Sequence, residues 1–436
     1  MNPNGRSTPL SKVPLIAMTN YHRMNLKTKI WNICLLRLAP DPKSRPLRDL
    51  KSNMLLRKPL STISLLAVAF QVFLSTPTYA SSERVSALGG SPEMLLDNSN
   101  IFIYPASAVE WPHFAVSLFE NWGGALFPIG ERQVFGLFFN RPTPQLKHLN
   151  AYIQSTGSDV FSQLDTRPWF DLSYARTLRS TLVLGTSASL AYDRRDIGQT
   201  ASSALSVDWR VGLRLGSPTT GVLDFSLGLL ARRLQDDTPP VRNRQTGGDG
   251  FNIATRYRWP LQPGLTLLPF ASYERDTFAL APKTRSKHSA QLGIGIEMRP
   301  TPSVLVIAGV ETRMIRDQAL SPTQATLEDQ ALLAPTWVAA GQAQIGSLLF
   351  RLALRQENWL TKTQQLQSGQ ILEQRHFDSM LQTTLGLGIE LGPVLLDGLF
   401  ERDFFRDGPY FIGGSRHGGG IFSQLGITYH FASQRG

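Results

Sequence analysis

Charged side chains recur at spacings of two and four residues inside otherwise apolar stretches, and they are the first candidates for chemistry. Arg210 and Arg214 are four apart, as are Arg351 and Arg355, with Glu357 two further on; Asp397, Glu401 and Asp403 form an acidic set. In extended chain, alternate side chains share a face, so each set makes a one-sided ladder. Basic and acidic ladders facing one another would hold an internal segment by ion pairing, the plainer reading, or set a field for a solute. Classical catalytic patterns are absent. The six histidines after residue 80 (His113, His148, His288, His376, His417, His430) show no metal-ligand spacing, and no Gly-x-Ser-x-Gly elbow or phosphate-binding glycine loop occurs. His430 and Thr428 share one face of the last segment, but two residues do not make a hydrolase. No catalytic residue, metal or cofactor is therefore expected. The glycine-rich run at 413–420, with Arg416 and His417, reads as a hairpin tip or a surface loop.

The segments that carry these residues alternate with period two. In 205–216 the odd positions are Leu, Val, Trp, Val, Leu and Leu, whereas the even ones are Ser, Asp, Arg, Gly, Arg and Gly. A helix would spread both sets around its circumference; a strand separates them onto two faces. The same split appears at 290–299, 381–391 and 421–431, and in weaker form at 181–193, 222–233, 304–315, 348–360 and 394–405. Residues 145–166 and 318–334 are the best remaining places for a long loop or short helix.

The chain has 436 residues, of which 18% are charged and one is cysteine. Disulfide scaffolds and zinc–cysteine folds are excluded. The net charge of +11 is misleading: residues 1–80 hold 12 Lys+Arg against 2 Asp+Glu, while the remainder holds 32 against 31. The main body is nearly neutral, so nucleic acid is not an expected partner. Residues 54–80 have a secretory signal's three parts: basic Arg57-Lys58, an apolar core from Ile63 to Leu74, and small residues up to Ala80. Met54 stands where such a signal begins, so residues 1–53, which include Cys34, read as a disordered or miscalled start. The mature chain then lacks cysteine.

Two architectures bury one face of such strands. A sandwich hides the apolar face between sheets; a membrane barrel turns it to lipid and encloses the polar face. Long repeats, charges deep in the polar faces, and aromatics near strand ends (Tyr192, Trp259, Tyr273, Trp359, Phe404, Phe405, Tyr429, Phe431) favour the barrel. With an export signal, that places the chain in a bacterial outer membrane, among outer-membrane lipid and dependent on barrel-assembly machinery.

Residues 81–111 do not alternate. They contain Ala87-Leu88-Gly89-Gly90-Ser91, then Asp97, then Tyr104-Pro105-Ala106. On these elements the chain resembles the outer-membrane hydrophobic-compound transporter superfamily, which includes long-chain fatty-acid transporters, although Tyr104 stands where Asn is usual. The resemblance implies an all-β, transmembrane antiparallel barrel of about 14 strands with an N-terminal hatch at 81–111, whose motif residues are Gly89, Gly90, Asp97, Pro105 and Ala106. It also implies a barrel at 112–431, a tail at 432–436, and passage of a small hydrophobic compound past the hatch or through a gap in the wall. A non-transporting scaffold or surface-protein anchor is the alternative; a lumen filled by hatch and salt bridges would favour it. A lipid-modifying enzyme would need a Ser–His pair at hydrogen-bond distance on the outer rim.

Overall fold

The computed structural model describes residues 82–400 and 421–431, apart from 91, 119–120, 142, 144, 147–148, 151–167, 198–199, 237–243, 281–282, 321–326 and 368–369. The signal at 54–80, residues 1–53, the tail at 432–436, the 413–420 run, and Glu401 and Asp403 lie outside the described residues.

One short helix, α1 (Ser82–Ala87), opens the described chain. Strands β1 (His113–Ser117), β2 (Trp122–Pro128), β3 (Gln133–Phe139), β4 (Pro168–Arg179), β5 (Leu182–Ile197), β6 (Thr200–Ser217), β7 (Gly221–Asp236) and β8 (Arg244–Gln262) follow. Then come β9 (Leu265–Leu280), β10 (Lys283–Thr301), β11 (Val304–Leu320), β12 (Leu327–Ile345), β13 (Leu348–Gln367), β14 (Gln370–Leu391), β15 (Val394–Phe400) and β16 (Phe422–His430). Each pairs antiparallel with its neighbours, and β1 pairs with β16, so the sheet closes into a barrel. The described parts of the segments read as strands lie on strands; of 394–405, residues 401–405 lie outside the described residues.

Two expectations need correction. The barrel has 16 strands among the described residues, not about 14. The difference lies in 113–139, where three strands of five to seven residues replace the long alternating runs; β2 reads WGGALFP, with no alternation to announce it. The stretch 318–334 is not loop at both ends, because β11 runs to Leu320 and β12 begins at Leu327.

Burial is inverted relative to a water-soluble protein. On β6, Trp209 is 46% exposed and Leu215 40%, whereas Arg214 is 5% and Ser206 4%. No second sheet covers the apolar face, and the polar face lines the interior. Charge on the outer face would cost about 2–4 kcal/mol at the membrane midplane, which is why the ladders point inward. No described helix is long and apolar enough to cross a membrane. A closed sheet leaves no unpaired backbone edge for lipid.

The seven connections on one side, such as Arg179 to Leu182 and Leu391 to Val394, are tight. The longest, β3 to β4 and β15 to β16, leave from the opposite side. Short turns mark the periplasmic end of outer-membrane barrels and long loops the outer end.

Candidate functional site: the barrel lumen

Residues 82–111 lie within the ring of strands. α1 meets β13 to β16, the 3-10 turn at Pro92–Met94 meets β9 and β10, and the turn at Pro105–Glu110 meets β3 to β7. Missing side chains on the wall make this approach possible. A Cβ on Gly185 would stand 2.4 Å from the Ala106 nitrogen, and one on Gly212 2.9 Å from the same atom. Gly185 and Gly212 are cross-strand partners, so together they form a seat for Pro105-Ala106. Gly295 and Gly309, also partners, seat Met94 in the same way. All four lie near the periplasmic turns, and the segment therefore occupies that end of the lumen.

Buried arginines fasten it. Arg256, 1% exposed, donates from Nη1 to the Leu95 carbonyl (2.9 Å), the Asn100 Oδ1 (2.9 Å) and the Glu93 carbonyl (3.3 Å). Its Nη2 reaches Asp224 Oδ2 at 3.1 Å. Arg214 bridges Asp224 (2.6 Å) and Glu110 (2.7 Å), and Arg258 also contacts both carboxylates. Burial pushes the Glu110 carboxyl up, but Arg214 and Arg258 outweigh it and hold it below the usual carboxylate range. On the far side, Arg351 donates to Asp397 at 2.6 Å and shares Gln342 with Arg84. Arg355 donates to the Gly89 carbonyl (2.7 Å) and pairs with Glu311 and Glu357. Charge-assisted bonds of this kind are the strong ones in a low-dielectric site.

The sequence-derived residues thus come together in part. Arg214, Arg351, Arg355 and Asp397 all face the lumen in ion pairs around the segment; Arg210 pairs with Asp208 at 3.3 Å, further from the periplasmic turns. Gly89 and Gly90 both take left-handed φ, +92° and +76°, where glycine is strain-free. Asp97 caps the 3-10 turn at Asn98–Phe102, accepting from the Ser99 N–H at 2.9 Å. Sequence reasoning missed Arg256, Asp224 and Glu110. The only signal for them was the glycine-and-charge composition of the polar faces, which does not say which strands meet the segment.

Above the segment lies a cavity of about 740 Å³. Strand register joins its wall into a polar belt. Asp171 is opposite Ser189, which is opposite Asp208. Further round, Asn252 is opposite Glu274, and Glu274 opposite Ser289. Asn252 is 7% exposed, and neither its Oδ1 nor its Nδ2 has a hydrogen-bond partner; Gly228 across the ladder leaves it the room. Arg141 bonds Asp171 at 2.8 Å and lies 3.7 Å from the Phe102 ring centroid. Nearer the outer end, Leu146 and Leu149 from the β3–β4 connection pack on Ala191, Ala204, Leu234 and Phe278. Trp359 also faces this cavity, its indole N–H donating to Glu357 at 3.1 Å, so it does not belong to an aromatic girdle. Trp259 (50% exposed) and Tyr429 (40%) are outward. An apolar solute would leave these donors and acceptors unpaired, at a cost, so the lining gives no support to a hydrophobic cargo.

A Ser–His contact does occur on the outer face. Ser286 Oγ is 3.1 Å from His288 Nε2, and the Tyr273 hydroxyl is 2.8 Å from His288 Nδ1. A triad needs an acceptor that stabilises the imidazolium formed in catalysis. Instead, His288 has Arg275 and Arg316 as cross-strand partners, and two guanidiniums would repel that imidazolium. This pair does not support a hydrolase. Among the described residues no cluster of metal-ligating side chains is present.

No protein-family model and no curated protein matches the chain. Among solved structures it is similar to the alcaligin outer membrane receptor FauA of Bordetella pertussis, at 11% identity over 66% of this chain and 67% of that one, TM-score 0.36. It is also similar to the siderophore receptor PirA of Pseudomonas aeruginosa (8%, 73% and 79%, TM-score 0.33) and the FrpB iron transporter of Neisseria meningitidis (7%, 67% and 63%, TM-score 0.36). At these scores the likeness assigns neither a family nor a cargo. The geometry carries the conclusion. This chain is an outer-membrane β-barrel: closed, apolar outside and charged within.

Proposed function

We propose that the barrel passes a small polar solute across the outer membrane, with residues 82–111 as a hatch at the periplasmic end. The cavity of about 740 Å³ lined by that segment and the barrel wall is the observation that supports it. Its volume falls in the range of small-molecule sites, about 300–1,000 Å³. Arg210 pairs with Asp208 and Arg355 with Glu311 and Glu357, while Asn252 and Glu274 keep unmet hydrogen-bonding atoms, so the wall offers hydrogen bonds to a polar solute. A solute would enter between the outer loops, exchange water for the belt, and leave when the hatch yields. The family resemblance supports the hatch and transport, while the polar lining argues for a cargo unlike that family's.

A non-transporting scaffold is the second reading, supported by the dense pairing of Arg214, Arg256 and Arg258 with Asp224 and Glu110. Proteoliposome swelling separates the two. Faster swelling in maltose or glycine than in empty liposomes, increased further in a chain lacking 82–111, supports passage. Failure of both proteins to swell, with a heat-modifiable folded band on gels, rejects passage and leaves the scaffold.

A further inference from the structure

The outer face of the barrel changes character along one register row. Tyr273, Ala290 and Met314 are cross-strand partners on β9, β10 and β11, and Met314 is 54% exposed. One pleat further from the periplasmic turns, the partners on the same three strands are Arg275, His288 and Arg316. Apolar side chains thus give way to three nitrogen bases in two residues of chain. Beyond them stand Thr277, Ser286 and Gln318.

Arg275 and Arg316 stand two strands apart on one face, with His288 between them, and a carboxylate on that face would pair with them. The outward face of β9 to β11 has none: Glu274 and Asp276 on β9, Glu297 on β10, and Glu311 and Asp317 on β11 alternate onto the lumen side. Asp249 on β8, opposite Thr277, and Glu328 on β12, opposite Gln318, bound the patch. Hydroxyl donors crowd it instead. Ser286 and Tyr273 both contact the His288 ring. Guanidiniums with hydroxyls are the donor set for a phosphate oxygen cluster.

The height of the row identifies the source of that phosphate. Arg275 is ten residues beyond the start of β9 at Leu265, and Arg316 twelve beyond the start of β11 at Val304. At about 3.4 Å per residue, tilted by about 40°, this is roughly 26–31 Å above the periplasmic turns, the top of an apolar band about 25 Å tall. Directly beneath are Tyr273 and Met314, which face acyl chains. A ligand here must be charged at the level of the arginines and greasy below them.

We propose that Arg275, His288 and Arg316 form a binding site for the phosphate of an anionic glycolipid in the outer leaflet, with Tyr273 and Ser286 as added donors. The site is on the outside of the wall and does not depend on whether the lumen transports. A lipid held there would lock β9 to β11 in register at the membrane boundary.

The test is native mass spectrometry of the full chain in detergent with bis-phosphorylated lipid A, dephosphorylated lipid A or inorganic phosphate. The phosphorylated lipid should bind, and the double variant R275S/R316S should lose roughly 30-fold in affinity for it, as expected for two cations at a membrane surface. The dephosphorylated lipid should bind weakly and equally to both proteins. The charge-keeping R275K/R316K should recover most of the loss, which separates binding from misfolding; the heat-modifiable gel shift checks folding directly. Equal binding of the two lipids, or of wild type and R275S/R316S, overturns the site. Displacement of lipid A by equimolar inorganic phosphate overturns the lipid as its occupant.

Discussion

The arc from β5 to β14 and the arc from β1 to β3 line the same lumen with different chemistry. The first has strands of 16 to 22 residues and holds residues 82–111 in two ways: through arginine and carboxylate pairs, and through apolar clusters in which Leu88 and Leu95 meet Leu305, Ile307 and Ala353, and Met94 meets Phe270 and Val338. The second has strands of five to seven residues and an apolar inner wall: Ala115, Trp122, Leu126, Val134 and Phe138 pack with Ile101 and Ala108 of the segment. Seven residues rise about 24 Å before tilt and roughly 18 Å at a tilt of about 40°, so this arc falls short of an apolar band of about 25 Å. The tall arc has an inner wall above the segment, and the short arc does not. Apolar packing holds the segment on both sides, and the buried ion pairs are added on the tall side.

The contrast can be broken most directly on the outer faces. Val211→Arg, midway along β6, should destabilise by about 2–4 kcal/mol, whereas Phe114→Arg, beside the periplasmic end of β1, should cost about 0–1 kcal/mol. Refolding into vesicles across a urea series measures both, and equal costs would mean that the short arc sits as deep in lipid as the tall one. Arg256 gives the next largest effect. Its loss in Arg256→Leu removes the side-chain donor to the Glu93 and Leu95 carbonyls and one of three guanidiniums around Asp224, and leaving buried acceptors unpaired costs about 1–3 kcal/mol. The expected result is a lower midpoint in urea unfolding followed by the heat-modifiable gel shift, together with raised channel conductance. An unchanged midpoint would show that apolar packing alone holds the segment. The smallest effect concerns pH. Glu110 is held below the usual carboxylate range, so its contribution is complete above the unfolded value of about 4.3. It is lost as pH falls through the depressed folded value. Conductance should stay low at neutral pH and rise only in strong acid, and Glu110→Gln should show the acid behaviour at neutral pH.

Much of the wall was legible because a strand writes its environment in period two. The split in 205–216 named both faces of β6, and Arg214, Arg351, Arg355 and Asp397 were placed inside by the same rule. Partner choice was not legible. Asp224 meets Arg214 across one ladder and Arg256 across the next, and nothing in a single segment states its register against its neighbours. The glycines on polar faces were visible, but their use as seats for Pro105-Ala106 and Met94 depends on a segment about 80 to 200 residues away in sequence. The cavity lining gives the hydrophobic cargo expected from resemblance no support, since a short motif describes the hatch and carries no information about the wall above it.

By itself, the sequence determined that one edge of each strand is greasy and the other hydrophilic, and hence that the hydrophilic edge needed enclosing away from lipid. Alternation alone does this, because successive side chains of extended chain must point to opposite sides. Only the tertiary structure decided how many strands close the ring, which arginines reach residues 82–111, and that Arg275, His288 and Arg316 fall in line on the outer surface. Those facts depend on register and closure, which are set by all sixteen strands at once.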